Sequence, residues 1–168
     1  ILNGNQIACI CLEHLLEALN KQSKMPKKGA LVKTIVTTEL FQEIADHFKV
    51  TCFNVLTGFK YIAEKIHQWE QESDGFQYIF GAEVSYGYLL GTETRDKDAI
   101  TSAALICEAA LHAKREGKTL VDKLEDLYTK YGVHVEKLLS IRFEESKAGR
   151  EKMANGMSSL ENAPPDQI

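Results

Sequence analysis

Ala30-Leu31-Val32-Lys33-Thr34-Ile35-Val36-Thr37 is a β-branched run unbroken by Gly or Pro, and it decides the fold. Such a run, too short for a buried helix, is the pattern of a strand covered on both faces rather than one with a solvated side. It follows the breaker Lys24-Met25-Pro26-Lys27-Lys28-Gly29. Thr37 or Thr38 can then cap a helix carrying Leu40, Phe41, Ile44, Ala45 and Phe48 on one side, and Val50 to Val55 reads as a second strand.

Working outward, the same alternation continues. Upstream, Ile7, Cys11, Leu12, Leu15 and Leu19 recur at helical spacing over Asn5 to about Lys21. Downstream, Phe59, Ile62, Ala63, Ile66 and Trp69 form the seam of a helix over Thr57 to Gln71. Gln77 to Phe80 and Tyr86 to Leu90 read as third and fourth strands, after the Ser73-Asp74-Gly75 turn. A long helix spans about Lys97 to Arg115. Thr119 with Asp122 forms a capping box for a helix over Leu120 to Lys130 that Gly132 closes. Strands alternating with helices predict an α/β fold, a layered sheet of about four strands covered by helices.

Beyond Gly132 the texture changes, and Glu144 to Leu160 reads as a charged helix with Met153, Met157 and Leu160 on one stripe. The expected organisation is an α/β domain over 1–143 and a connector over 144–168 leading into a further domain. The opening Ile1-Leu2-Asn3-Gly4, with no initiator Met or targeting segment, and the closing Ala163-Pro164-Pro165-Asp166-Gln167-Ile168 read as the ends of a piece of a longer protein.

Composition bounds the function. The 168 residues are 44% hydrophobic and 26% charged, enough for a sizeable core in about one domain. No apolar run approaches the roughly 20 residues of a membrane-spanning helix. The net charge of -4, with both signs interspersed, gives no broad electropositive footprint for nucleic acid. Neither nucleic acid nor membrane is an expected partner. Cys9, Cys11, Cys52 and Cys107 lack C-x-x-C spacing, and the expectation is ordinary core cysteines of a reducing cytoplasm. The histidines are scattered singly with no H-x-x-x-H pair, so no metal site is expected.

Ligands of open α/β sheets sit beyond the carboxyl ends of the strands, which singles out three loops. Leu56-Thr57-Gly58-Phe59-Lys60 offers a hydroxyl, a Gly that permits close backbone approach, and an ammonium at a helix N-terminus. In Gly81-Ala82-Glu83-Val84-Ser85-Tyr86-Gly87, an extended backbone points Glu83 and Ser85 the same way, a carboxylate and a hydroxyl suited to adjacent sugar hydroxyls. In Gly91-Thr92-Glu93-Thr94-Arg95-Asp96-Lys97-Asp98-Ala99, Arg95 and Lys97 can meet a phosphate and Asp98 caps the next helix. Spacing alone leaves the bland alternative open in each: a capped helix, a polar strand edge, a solvated helix start.

The order of these loops, after Asn3-Gly4-Asn5-Gln6, closely resembles the third domain of the α-D-phosphohexomutases, the phosphoglucomutase and phosphomannomutase family. The likeness spans roughly Leu2 to Gly132, and the Glu83-Val84-Ser85-Tyr86-Gly87-Tyr88 string with downstream Arg95-Asp96-Lys97-Asp98 carries most of it. It implies that Glu83 and Ser85 hold the sugar hydroxyls and decide which hexose fits. It implies that Thr57, Gly58 and Phe59 touch substrate, with Lys60 and Arg95 as further contacts. It implies for Lys97 a substrate contact with a possible part in proton transfer. Ala82 and Val84 depart from the family's usual Gly or Phe and Glu.

The family's phosphoserine loop, Asp-x-Asp-x-Asp-Arg magnesium loop and C-terminal phosphate loop have no match in this sequence. The expectation is therefore the sugar-recognition domain of a cytoplasmic mutase that interconverts hexose 1-phosphate and 6-phosphate, with glucose the expected hexose. Its partners would be hexose phosphate and the remaining domains of the same polypeptide. A phosphoserine, a hexose 1,6-bisphosphate intermediate and Mg2+ would belong to the full-length enzyme, and this chain alone is expected to be inactive. A non-catalytic module for protein association and a pentose-phosphate mutase of the same family stand as alternatives.

Overall fold

A computed structural model describes residues 1–137 and 141–162. The chain divides into two compact units, Ile1–Val135 and Glu136–Ile168. The closing Pro-rich segment lies outside the described residues.

In the first unit, α1 (Gly4–Lys21) opens on a capping box, one residue ahead of the start that its apolar spacing predicts. The Asn3 side chain accepts the Gln6 N–H at 3.0 Å, and the Gln6 side chain accepts the Asn3 N–H at 2.9 Å. Strand β1 (Gly29–Thr34) is buried along its whole length, as a strand covered on both faces must be. It stops at Thr34 rather than Thr37. The Thr37 N–H donates to the Thr34 carbonyl at 2.9 Å, the Thr34 and Thr37 hydroxyls share a hydrogen bond of 2.8 Å, and Ile35 and Val36 are left exposed. These local bonds override the strand propensity of the β-branched residues.

Helix α2 (Leu40–His47) has Glu39 at its N-cap with no side-chain cap bond, not the threonine expected there; one residue earlier, the Thr38 hydroxyl accepts the Leu40 N–H at 3.2 Å. β2 (Thr51–Val55) follows. Then α3 (Phe59–Gln71) begins two residues later than its apolar seam predicts, because Gly58 has φ +123° and cannot join a helix. β3 (Gln77–Glu83) runs three residues past its predicted end and joins β4 (Gly87–Leu90) through a short turn, Val84 to Tyr86. α4 (Ala99–Arg115) and α5 (Leu120–Tyr131) complete the unit. Asp98 caps α4 by accepting from Ile100 and Thr101, and the Thr119–Asp122 capping box opens α5 as the sequence predicts. In the second unit, α6 (Lys147–Asn162) begins where Ser146 Oγ accepts the Gly149 N–H at 3.1 Å.

The four strands form one mixed sheet in the order β2-β1-β3-β4, parallel except for β4, which runs antiparallel to β3. Side-chain alternation splits the core in two. Leu31, Phe80, Ala82 and Tyr88 face α1, α2, α4 and α5, while Ala30, Val32, Tyr78 and Leu89 face α3. Ile62 and Ile66 of α3 are essentially fully buried on that side, each stabilising by about 1.5–3 kcal/mol. A register shift between Ala30 and Leu31 lets the consecutive residues Ile79 and Phe80 both reach the first core. From there the alternation runs Ala82 toward α1 and Glu83 toward α3, which sets the position of the carboxylate discussed next.

The expectation of core cysteines holds for Cys9 and Cys11, which are buried. Cys52 is half-buried, and Cys107 is exposed on the outer face of α4, where no layer covers it.

Candidate functional site

The carboxyl ends of β2 and β3 bring Glu83 to the start of α3. Glu83 is only 7% exposed, and its Oε1 accepts the Gly58 N–H at 2.9 Å. α3 has no side-chain cap of its own, so this carboxylate caps it from a distant strand, favourably oriented to the helix dipole. Gly58 permits this geometry because its φ of +123° and ψ of +124° are denied to residues with a Cβ.

Burying a carboxylate costs several kcal/mol unless donors satisfy it. A carboxylate has about four acceptor sites, and among the described residues only the Gly58 N–H donates to this one. The second oxygen, Oε2, lies against Gly87, 3.2 Å from where a Cβ would stand. The Lys97 side chain crosses the same glycine, its Cδ and Cγ 2.7 and 3.1 Å from that position. A Cβ at Gly87 would make the flexible Lys97 side chain shift from this path. Lys97 Nζ lies 5.4 Å from the Phe59 ring centroid and 3.1 Å from Asp96 Oδ1. The Asp96 carboxyl is held below its ordinary range by hydrogen bonds from the Lys97 backbone and side chain.

Glu83, Gly58, Phe59 and Lys97 thus come together. Phe59, 4% exposed, belongs mainly to the core under α3. Ser85 is not on a shared extended face with Glu83. The extended backbone ends at Glu83, and Ser85 sits exposed in the turn, because the chain must reverse there to pair β4 with β3. Thr57 is exposed just before Gly58, and Lys60 is exposed with its ammonium 4.8 Å from the Tyr61 ring. Arg95 is engaged elsewhere. Its Nη2 donates to both Glu70 oxygens at 2.6 and 2.8 Å, and Nη1 donates to the Thr92 carbonyl at 2.7 Å. Glu70 lies about 16 Å along α3 from its start, at about 1.5 Å per residue, so this guanidinium serves the far end of the helix.

Two features are not legible from motif or spacing. Lys33 is fully buried in the central strand, donating to the Thr37 carbonyl at 3.0 Å and to Glu39 Oε1 at 2.8 Å. A lone charge inside an apolar run is its one signal in the sequence. Thr37 Oγ1 in turn reaches the Ala82 carbonyl at 3.4 Å, next to Glu83. The second feature is Gly4 and its neighbours, which reach the turn carrying Ser85. Among the described residues, no group of three or more His, Cys, Asp or Glu is placed to hold a metal ion. No helix among them is long and apolar enough to cross a membrane.

The profile described as "Phosphoglucomutase/phosphomannomutase, alpha/beta/alpha domain III" matches residues 3–131. The chain belongs to the phosphoglucomutase/phosphomannomutase family. Within that family it is 35% identical over 166 residues to a phosphoglucomutase of Staphylococcus aureus strain MRSA252, a match covering 99% of this chain and 29% of the relative. The corresponding phosphoglucomutase of strain MSSA476 is 34% identical over the same length. Among solved structures, the open form of pp63/parafusin, a phosphoglucomutase from Paramecium, shares the fold with a TM-score of 0.57 and 17% identity, covering 95% of this chain and 26% of that one. This domain-III chain therefore spans less than a third of the curated relatives it matches. The matched region contains every loop described above.

Proposed function

We propose that this chain is the sugar-recognition domain of a phosphohexomutase that interconverts hexose 1-phosphate and hexose 6-phosphate, with glucose the expected hexose. The observation that carries the reading is Glu83: a buried carboxylate, fixed by Gly58 at one oxygen and, among the described residues, without a donor on the other, with the Lys97 side chain packed over the same Gly87. Two adjacent sugar hydroxyls can donate to such a carboxylate, and the Ser85 hydroxyl can donate or accept at the open edge. Lys97 supplies positive charge toward a phosphate or a developing alkoxide, and Thr57 and Gly58 close the other side of the sugar. Lys60 is a further contact in this reading. Arg95 acts only if its hold on Glu70 is released.

The phosphoryl donor and Mg2+ are assigned to parts of the complete polypeptide beyond this chain, whose described residues do not form a cation site. When bound there, the metal supplies charge stabilisation for phosphoryl transfer. This chain's contribution is to bind and orient the sugar so that either end can be presented. A 1,6-bisphosphate that turns end for end between half-reactions fits a site that grips the ring hydroxyls rather than either phosphate. Ile35, Val36 and Leu56, exposed at the same strand ends, suit contact with neighbouring domains, and the chain beyond residue 143 serves as the connector to one of them. The enzyme is read as cytoplasmic.

The test is Glu83→Gln in the complete polypeptide, assayed with α-D-glucose 1-phosphate. The amide keeps an acceptor for Gly58, so folding is preserved. The loss of a charged acceptor is expected to lower kcat/KM by about 10- to 100-fold. Parental kcat/KM in a folded variant rejects the assignment.

A further inference from the structure

The first turn of α1 meets the β3–β4 turn backbone to backbone. A Cβ added at Gly4 would lie 2.0 Å from the Val84 carbonyl oxygen, 2.9 Å from its carbon and 3.0 Å from the Tyr86 nitrogen. These neighbours are main-chain atoms, so no rotamer change relieves the clash. The contact is flanked by further ties. The buried Tyr88 hydroxyl donates to the Gly4 carbonyl at 2.8 Å, and the Tyr86 hydroxyl reaches the Leu2 carbonyl at 3.5 Å. Asn5 Oδ1 accepts the Thr38 N–H at 3.3 Å, in the loop that follows β1.

The turn itself is strained. Tyr86 has φ +61°, a left-handed conformation that a bulky residue keeps only when its surroundings enforce it. Ser85, between Val84 and Tyr86, is exposed and makes no hydrogen bond of its own among the described residues, so its place is inherited from those two neighbours. Glu83, by contrast, is held separately by Gly58.

We infer that Gly4 is a positioning residue: its missing side chain lets the N-terminus of α1 press on Val84 and Tyr86 and so sets Ser85 at a fixed distance from Glu83 for reading hexose hydroxyls. The inference rests on the proposed role of Glu83 and Ser85 in sugar binding. Because the two residues are anchored independently, an added methyl at Gly4 displaces Ser85 and leaves Glu83 in place.

The experiment measures kcat and KM of the complete polypeptide with α-D-glucose 1-phosphate for Gly4→Ala, Ser85→Ala, the double variant and Glu83→Gln, with Gly156→Ala as the control. Gly156 has open space around it, so a methyl there leaves activity unchanged. Gly4→Ala is expected to lower kcat/KM by about tenfold, the scale of one lost hydrogen bond, mainly through KM. The double variant is expected to be no worse than Ser85→Ala alone within about twofold, since both changes remove one interaction. A folded Gly4→Ala variant with parental kcat/KM overturns the inference, as does a double variant whose losses multiply, which marks a general structural effect. If Gly4→Ala does not fold, Tyr88→Phe removes only the bond to the Gly4 carbonyl. A raised KM that is again non-additive with Ser85→Ala supports the role, and an unchanged KM rejects it. If Glu83→Gln is itself fully active, the proposed function falls and this inference with it. If Glu83→Gln loses activity while Gly4→Ala keeps it, only this inference falls.

Discussion

The Gly58 N–H donates to Glu83 Oε1 at 2.9 Å across 25 residues of sequence, so that a carboxylate at the end of one strand caps the helix that follows another. The bond locks together two of the loops at the carboxyl edge of the sheet, and it makes the conformation of Gly58 a point at which the packing of the site can be tested through stability.

Gly58→Ala is expected to destabilise the protein by about 1–3 kcal/mol, because φ +123° with ψ +124° excludes a Cβ for reasons of backbone strain. Space does not contribute, since the nearest side-chain atom would be 3.7 Å from the added methyl. Urea unfolding measures the change, and an unaltered midpoint shows that the loop relaxes freely.

Lys33 places an ammonium in the central strand, between the Thr37 carbonyl and the Glu39 carboxylate. Glu39→Ala strands that charge with one neutral acceptor. A cost of about 2 kcal/mol is expected, below the 3–5 kcal/mol of a fully buried pair because Glu39 is 63% exposed. In a Lys33→Met background the same change is expected to cost less than about 0.5 kcal/mol. Equal costs in both backgrounds disprove the coupling.

His14 packs between α1, α4 and α5, beside a cavity of about 20 Å3 that has room for about one water. Its Nε2 is buried and makes no hydrogen bond, 3.9 Å from Glu108 Oε1. Burial is the main cause that lowers its pKa below 6.5, and His112 and Lys123 add to it, against the opposing pull of Glu108 and Glu17. The unfolded chain therefore binds the proton more readily, and stability falls as pH drops from 6.5 through the depressed folded value. Unfolding free energies between pH 7.5 and about 5 are expected to show this loss in the parent and a shallower slope in His14→Gln. Identical slopes exclude His14 as its source.

The cysteines differ in accessibility in a way that thiol labelling can read. Burial pushes the thiols of Cys11 and Cys52 up to about 12, and Cys9 is fully buried, whereas Cys107 is exposed. A maleimide at neutral pH is expected to modify Cys107 rapidly and the other three only on unfolding, as counted by mass. Fast labelling of Cys9 or Cys11 in the native state contradicts the packing of α1.

What the sequence settles here is what short spacings encode. The unbroken Ala30–Thr34 stretch, the 3.6-residue seams of α1 and α3, the Asp98 cap and the Thr119–Asp122 box each lie within a short stretch of sequence, so the α/β order and the positions of the strand-end loops are legible from local spacing alone. Ends are less legible. Whether β1 stops at Thr34 depends on the hydrogen bonds of Thr37, and whether β3 runs to Glu83 depends on β4 pairing with it. The tertiary structure alone decided that Glu83 caps α3, that Arg95 is taken by Glu70, that Lys33 is buried with its ammonium on the exposed Glu39 and that Gly4 abuts the Ser85 turn. Each of these depends on where a partner from another loop, strand or helix sits once the layers pack. That placement comes from sheet register and close backbone approach, which no local periodicity records.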